Sequence, residues 1–449
     1  MERYHPPALP RLTRRAMLGT TVVPPVLAAC RLPDAGRPAP EQAPQLKGNI
    51  VLRILINSAP GPETEMHDAV IAAFEERFPN VKVDPIRVPN DAELTEKLRV
   101  LHAAGDPPDL YWNRVRTSLT FIAPGLTIGL GAYIKRDKID LNDFWPSAIK
   151  AYTWNGEMHC LPSSASSNAY YFNRQIFEEA GVPTPDVLVK QGNWTWQTLL
   201  DVTRRITKGD DPRTKVWGIE RNLGLISAVA QFTWQNGGKP FSDDRKEFLL
   251  HEPPALEAIQ FLVDLVLRYG VAPTPEEQRA AGADIWVSGR QGMILGGRFS
   301  VPTLLTVSWP PGMALATTGP KRNATRGDDL GSSIPKGAKQ PDAAWEYAKL
   351  WSSPVGQAIV MRSGRSYTAR RSYARSEEIK QFLRPWEDQE TYFKGLEWTE
   401  VFPIMPRYPE VVQIFDKHMN AIINREQGVR EGMLRAKSEI DPLLKEGWG

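Results

Sequence analysis

The alternation of strand and helix patterns between residues 50 and 112 constrains the fold of this 449-residue chain more than any other feature. Short β-branched and apolar runs predict strands at 50–56, 81–83 and 109–112. Apolar residues at helical spacing predict a helix in each interval, one from Met66 to Phe78 and one from Leu94 to Leu101. This order is typical of an open α/β sheet, so we predict an α/β fold.

Ligands of open α/β sheets bind beyond the carboxyl ends of the strands. Asn57 and Ser58 directly follow the first predicted strand, and Trp112 ends the third. We therefore predict that these three residues contact a ligand.

The N-terminal segment 1–29 has the pattern of a secretion signal. Four arginines in its first half precede a modest apolar stretch, 16–29, that is shorter than the roughly 20 residues a membrane-spanning helix needs. The stretch ends in Leu27-Ala28-Ala29-Cys30, which resembles a bacterial lipobox and implies lipidation of Cys30. Residues 13–18 resemble a twin-arginine export signal, with general secretion as the alternative. We expect an exported protein anchored by lipid to the outer face of the cell membrane.

Composition limits the partners of the remaining chain. Removing residues 1–29 takes away four Arg and one Glu, which lowers the formal net charge from +3 to zero. A neutral chain lacks the basic excess that nucleic-acid binding uses, so we expect no nucleic-acid partner. The Pro-rich segment 30–48 predicts a flexible tether. A lipidated Cys30 leaves Cys160 without a disulfide partner, and we expect Cys160 to be a buried apolar residue.

Seven segments in order carry a family resemblance. They are VIAAFEERFPNVKVD (70–84), KLRVLHAAGDPPDLYW (97–112), NGEMHCLPSSASSNAYYFNRQIFEEAGV (155–182), WTW (194–196), WQNGG (234–238), WVSGRQGM (286–293) and GSSIPKGAKQPDAAWEYAKLWSSPVGQ (331–357). Together they resemble extracellular solute-binding proteins of family 1, the maltose and multiple-sugar receptor group. The matches run from about residue 50 to 370, and the last 80 residues match loosely.

The resemblance implies a type II periplasmic-binding-protein clamshell, in which two α/β lobes joined by hinge crossings close on a ligand. It assigns 49–163 and 317–355 to lobe one, and 166–315 and 356–449 to lobe two. It also implies a monomeric receptor that delivers a sugar or oligosaccharide to the membrane permease subunits of an ABC importer. We expect no cofactor and no metal.

Aromatic residues are candidates for the ligand site because sugar rings present flat C–H faces to aromatic rings. The chain has 14 Trp. Trp112 corresponds to a position at which the maltose receptor places a sugar-stacking Trp. Trp234 precedes a Gly-Gly turn, Trp309 precedes a Pro-Pro pair near the second predicted crossing, and Tyr408 begins an apolar helical pattern.

Departures from the family pattern add further candidates. Arg298 stands where the family has an aromatic residue, with Phe299 after it, and a guanidinium can bind a carboxylate or vicinal hydroxyls. Ser166 lies in a serine-rich first crossing where the maltose receptor carries a glutamate, which speaks against maltose. By analogy with the family, the chain returns to the cleft near Gly331, which makes Gly331 a further candidate.

Alternative functions use the same features. An exported carbohydrate-active hydrolase needs two carboxylates on either side of a glycosidic bond. We predict no enzyme, since the chain has no His-Glu-x-x-His, Gly-x-Ser-x-Gly, phosphate-loop or dinucleotide motif. A receptor for a non-sugar solute such as a glycerol phosphodiester, or a sensory receptor without an importer, stays open.

Overall fold

The computed structural model of the protein describes residues 46–58, 60–282, 284–327, 330–405 and 407–446. Cys30, the predicted signal segment and most of the predicted tether lie outside the described residues.

The described chain alternates strands and helices along most of its length. The strands are β1 Ile50–Asn57, β2 Val81–Val88, β3 Leu110–Arg114, β4 Thr153–Trp154, β5 Glu157–Met158, β6 Leu161–Ala165, β7 Ala169–Asn173, β8 Met293–Gly296, β9 Pro311–Leu315, β10 Thr325–Arg326, β11 Leu330–Ser333, β12 Tyr367–Thr368 and β13 Thr399–Glu400.

The α-helices lie between these strands and at the C-terminal end. They are α1 Pro62–Arg77, α2 Asp91–Ala103, α3 Val115–Ile122, α4 Gly131–Arg136, α5 Pro146–Tyr152, α6 Arg174–Ala180, α7 Pro185–Lys190, α8 Trp196–Ile206, α9 Ala230–Gln235, α10 Pro253–Leu267, α11 Pro275–Ala280, α12 Val301–Leu304, α13 Pro341–Ser352, α14 Pro354–Ser363, α15 Arg371–Ala374, α16 Gln389–Glu397, α17 Tyr408–Ile423 and α18 Val429–Glu446. Short 3₁₀ turns span Leu141–Asp143, Arg298–Ser300 and Glu377–Phe382, and Leu225–Val229 forms a π-helical turn.

The described residues form four sheets, of which β4-β5 and β10-β13 have two strands each. The two larger sheets confirm the predicted α/β class. The first sheet has six strands in the order β2-β1-β3-β11-β6-β12, and β1, β2 and β3 run parallel. The second sheet has β7 at its centre, antiparallel to both β8 and β9. Ligand-binding edges in such folds lie where parallel strands end, which in the first sheet is the edge after Asn57, Val88 and Arg114.

The first sheet contains the strands that the hydrophobic runs predict. In β1 the side chains of Leu52, Ile54 and Leu55 are fully buried, as the continuous apolar run predicts for a strand covered on both faces. Strand β2 extends to Val88, five residues beyond the predicted end and past Pro85. Proline lacks the amide hydrogen that a central strand needs, and β2 tolerates it because it lies at the edge of the sheet.

The chain returns to the first sheet later than the predicted lobe boundary. Strand β12 pairs with β6, and α14 packs against α1, so segments up to residue 368 belong with the first sheet. The predicted assignment of 356–449 to the second lobe therefore needs correction at its start. The other boundaries of the two lobes stay a prediction.

A buried ion pair joins the second sheet to the C-terminal segments. Arg298, which follows β8, is 1% exposed and donates from Nε to Glu387 Oε1 at 2.8 Å. Its Nη1 donates to the carbonyl oxygens of Met361 and Ser366 at 2.8 and 3.0 Å. Burial opposes the charge, but the Glu387 carboxylate outweighs it and raises the pKa of Arg298 above its usual range. One guanidinium thus holds three distant chain segments together.

We expect Arg298→Met to lower the free energy of unfolding by about 3–5 kcal/mol, because it leaves the Glu387 carboxylate buried without its partner charge. Urea unfolding followed by tryptophan fluorescence measures this change. The double variant Arg298→Met/Glu387→Met removes both charges and should lose less stability than the single variant. Equal stability of Arg298→Met and the wild type would contradict a structural role for the pair.

Candidate functional site

Each of the three parallel strands of the first sheet is followed by a helix that begins at the same edge. Helix α1 begins at Pro62 after β1, α2 at Asp91 after β2, and α3 at Val115 after β3. Asn90 caps α2, since its side-chain oxygen accepts the amide hydrogen of Glu93 at 3.0 Å. The first residues of these helices therefore meet at one edge of the sheet.

Arg114 connects the three segments by charge-assisted hydrogen bonds. Its Nη2 donates to Glu63 Oε1 on α1 at 2.8 Å, and its Nε donates to Asp91 Oδ1 on α2 at 2.7 Å. Asn57 donates to the same Asp91 oxygen at 2.8 Å. Such bonds are roughly twice as strong as neutral ones, so they fix the relative positions of these four side chains.

A cavity of about 390 Å³ opens at this edge, and we call it the arginine cavity. Its charged and polar lining comprises Asn57, Glu63, Asn90, Asp91, Arg114, Arg116, Ser166, Arg326, Arg365 and Ser366. Its apolar lining comprises Met66, Pro89, Phe299 and Leu330. Residues that follow strands of both sheets therefore line one cavity, which is mainly polar and has a single aromatic ring among its described lining.

Positive charge from the cavity reaches the core behind it. His67, on α1, is fully buried between the rings of Trp112 and Trp351, at centroid distances of 4.8 and 5.3 Å. Burial, together with the charges of Arg87, Arg114 and Arg365, lowers the pKa of His67 to about 3. The imidazole is therefore neutral at physiological pH.

Within the described residues, no helix combines the length and apolarity that crossing a membrane requires. The same residues include no group of three or more His, Cys, Asp or Glu side chains placed to hold a metal ion.

Residues 60–358 match the model of the family described as bacterial extracellular solute-binding protein. The chain belongs to this family. The family resemblance of the sequence motifs is therefore confirmed. A solute-binding protein needs a ligand site, and the arginine cavity is the candidate for it.

Individual members of the family are distant in sequence but close in fold. An arabinooligosaccharide-binding protein of Halalkalibacterium halodurans is 20% identical over 47% of this chain and 45% of its own length. This match thus spans less than half of that curated relative.

Solved structures match over nearly their whole length. An ABC substrate-binding protein from Listeria monocytogenes in complex with cycloalternan has a TM-score of 0.77 at 21% identity, over 88% of this chain and 99% of that chain. UgpB from Mycobacterium tuberculosis in complex with glycerophosphocholine has a TM-score of 0.74 at 18% identity, over 88% and 98%. These likenesses confirm the predicted fold, that of the type II periplasmic binding proteins.

Three residues predicted from the sequence line the arginine cavity of this solute-binding protein. Asn57 ends β1, Ser166 follows β6, and Phe299 lies in the turn after β8 with 46% of its surface exposed. Ser58 lies next to Asn57 but outside the lining, where its hydroxyl contacts Thr64 at 2.8 Å. Their roles in ligand binding stay predictions.

The structure places Trp112 in the core of the solute-binding protein and not in the cavity. Trp112 is 2% exposed, and its ring lies 4.6 Å from that of Trp351. Successive side chains of a strand point to opposite faces, so Trp112 faces α1 and α13. Its neighbours Tyr111 and Asn113 face the other side, where they bond to Thr127 and Ser333. The sequence places Trp112 at the strand end but does not fix which face its ring occupies.

Arg298 also lies outside the cavity lining, because its guanidinium enters the buried ion pair with Glu387. The turn at 298–300 instead exposes Phe299, one residue later than the family pattern predicts.

The remaining predicted residues are buried away from the arginine cavity. Trp309 packs at 4.5 Å on Trp286, and Tyr408 packs at 5.9 Å on Phe402. Gly331 lies within β11, where an added Cβ would overlap the Cys160 sulfur. Trp234 is buried beside a second cavity of about 480 Å³.

The arginines that line the cavity were not among the residues predicted from the sequence. Arg114 directly follows the third predicted strand, so the strand-end rule that selected Asn57 applies to it equally. Arg326 and Arg365 reach the cavity from distant parts of the chain, and the sequence carries no local signal for this.

We expect the free energy of unfolding to fall as the pH drops from 6.5 toward 3, in part because His67 must be protonated in the unfolded chain while it stays neutral in the fold. Its contribution reaches about 1.4 kcal/mol per pH unit within this window. Urea unfolding at several pH values measures the slope. His67→Phe removes the titrating group, so its slope should be smaller than that of the wild type. Identical slopes would contradict a neutral buried His67.

Proposed function

We propose that this protein is the extracytoplasmic solute receptor of an ABC importer and that it binds a sugar or oligosaccharide in the arginine cavity. The observation that carries the proposal is a mainly polar cavity, lined from both sheets, in a chain of the solute-binding family. The ligand would lie between the two lobes, and the lobes would close on it and present it to the permease subunits.

The lining supplies the groups that carbohydrate recognition uses. Hydroxyls require planar side chains that donate and accept hydrogen bonds, and Asn57, Asp91 and the arginines provide both. The exposed ring of Phe299 offers a face for the C–H side of a sugar ring. Ligands of the relatives support the substrate class, since an arabinooligosaccharide and cycloalternan appear in the names of two of them.

A hydrolase is the less favoured alternative. Among the described lining residues the carboxylates are Glu63 and Asp91, and each accepts a hydrogen bond from Arg114. A general acid must hold and release a proton at the glycosidic oxygen. Carboxylates bonded to a guanidinium are better suited to positioning than to proton transfer.

The anchor and the oligomeric state complete the proposal. Cys30 would carry lipid after removal of residues 1–29, and the tether 30–48 would separate the membrane from the folded part. The family description supports a location outside the cytoplasm. The receptor would act as a monomer.

Phe299→Ala should weaken the binding of a recognised saccharide about tenfold, or ~1.4 kcal/mol, because it removes the single aromatic face of the described cavity lining. Isothermal titration calorimetry with a set of mono-, di- and oligosaccharides measures the affinity. Leu434→Ala, at an equally exposed (46%) apolar position on α18, serves as the matched control. An unchanged affinity in Phe299→Ala would remove Phe299 from the binding site. A saccharide that is cleaved during the titration would establish the hydrolase.

Cys30→Ser should release the protein from the membrane fraction, because the thiol that accepts the lipid is lost. Fractionation of an expressing bacterium and incorporation of a labelled fatty acid measure anchoring and lipidation. Cys160→Ser serves as the control, since Cys160 is buried in the fold. Labelling that persists in the Cys30→Ser protein would refute the lipobox assignment.

A further inference from the structure

The described lining of the arginine cavity is rich in charged side chains and poor in aromatic ones. Its described lining includes four guanidinium groups, two carboxylates and one aromatic ring. Neutral sugars need hydroxyl partners and stacking faces, and uncharged side chains can supply both, so several full positive charges are not required for them. Arginine is instead the residue best shaped to bind carboxylate and phosphate groups with two parallel hydrogen bonds.

Arg114 donates hydrogen bonds to both carboxylates of the described cavity lining. Asp91 Oδ1 accepts from Arg114 and from Asn57, and Glu63 Oε1 accepts from Arg114. These bonds explain why both acids are present, because they hold the arginine at the edge of the sheet. They also reduce the capacity of the two acids to neutralise a further guanidinium.

Arg365 is that further guanidinium. It follows Gly364, the left-handed residue that ends α14, and its side chain is 30% exposed in the cavity wall. The nearest carboxylate oxygen, Glu63 Oε2, lies 3.6 Å from its Nη2, which is longer than a hydrogen bond. In the ranges that the structure describes, the Arg365 guanidinium donates no hydrogen bond to another protein group. Its donors are therefore available to a ligand.

An acceptor lies in the same cavity. Asn57 is 6% exposed and donates to Asp91, and within the described residues its Oδ1 accepts no hydrogen bond. A buried amide oxygen without a donor is costly, which favours a ligand hydroxyl or amine at this point. Behind this point the pKa of His67 is lowered mainly by burial, and the charges of Arg114 and Arg365 lower it further.

Resting on the proposed function, we infer that the solute is anionic, a saccharide or polyol that bears a carboxylate or phosphate group, and that Arg365 binds this group while Asn57 accepts a hydroxyl. Uronates and aldonates present the carboxylate, and sugar or glycerol phosphates present the phosphate. Both place negative charge beside hydroxyls on a small polar body. Arg365 is thus the residue that selects acidic over neutral solutes.

Isothermal titration calorimetry of the purified protein with matched pairs tests the inference. The pairs are galactose and galacturonate, glucose and glucose 6-phosphate, glycerol and glycerol 3-phosphate, and a neutral and an acidic trisaccharide. We expect at least one acidic member to bind at least about tenfold more tightly than its neutral partner, with an affinity that falls as NaCl increases. The preferred member distinguishes carboxylate from phosphate.

Variants of Arg365 test whether this residue causes the preference for acidic ligands. Arg365→Gln should weaken the acidic ligand at least about tenfold and leave the neutral partner within about threefold. Arg365→Lys keeps the charge but loses the planar fork, so it should restore part of the affinity. Arg174→Gln is the matched control, because Arg174 is equally exposed (31%), is paired with Asp186, and lies outside the cavity lining.

The outcomes separate this inference from the proposed function. Tighter binding of neutral than acidic partners would overturn the inference and leave the sugar receptor in place. An Arg365→Gln variant that weakens both partners equally would also overturn it. Binding of none of the compounds at millimolar concentration would overturn the inference and the saccharide assignment together.

Discussion

The bonds of Arg114 are the interaction on which the site depends. Three parallel strands end at one edge of the first sheet, and each is followed by a helix whose first turn contributes to that edge. Arg114, at the end of β3, bonds to Glu63 on α1 and to Asp91 on α2, and Asn57 joins the same Asp91. Parallel pairing brings the segments together, and these charge-assisted bonds fix their side chains. These bonds set the geometry of this wall of the cavity.

A second charged pair lies next to two further residues of the cavity lining. Arg298 is buried against Glu387 and holds the carbonyl oxygen of Ser366 at 3.0 Å. The residue after Arg298 is Phe299 and the residue before Ser366 is Arg365, and both line the arginine cavity. An interaction that contacts no solute therefore positions one aromatic and one cationic group of the site.

The first three strands, the helices between them and the edge at which these strands end were predictable because they follow from local patterns. The order of the six strands in the first sheet was not predicted. Buried apolar runs mark strands, helical spacing marks helices, and ligands of parallel sheets bind at the carboxyl ends of the strands. This rule selected Asn57, which lines the arginine cavity and whose contact with a ligand stays a prediction. Trp112 was predicted to contact the ligand, but its ring lies in the core. The alternation of side chains along a strand decides which face a ring occupies, and the sequence motif fixed only the position of Trp112 in the chain. Arg298 and Phe299 differ by one residue in sequence, yet one enters the core and the other the cavity. Arg365 reaches the site through the return of β12 to the first sheet, which no local pattern encodes.

A crystal structure of the protein with a bound solute would test whether the arginine cavity is the solute-binding site. We expect ligand density in contact with Asn57, Phe299 and Arg365, with the acidic group of the ligand at Arg365 and a hydroxyl at Asn57. Trp112 should remain packed on His67 and Trp351. Ligand density in the cavity beside Trp234, or elsewhere with only water in the arginine cavity, would show that the arginine cavity is not the solute-binding site.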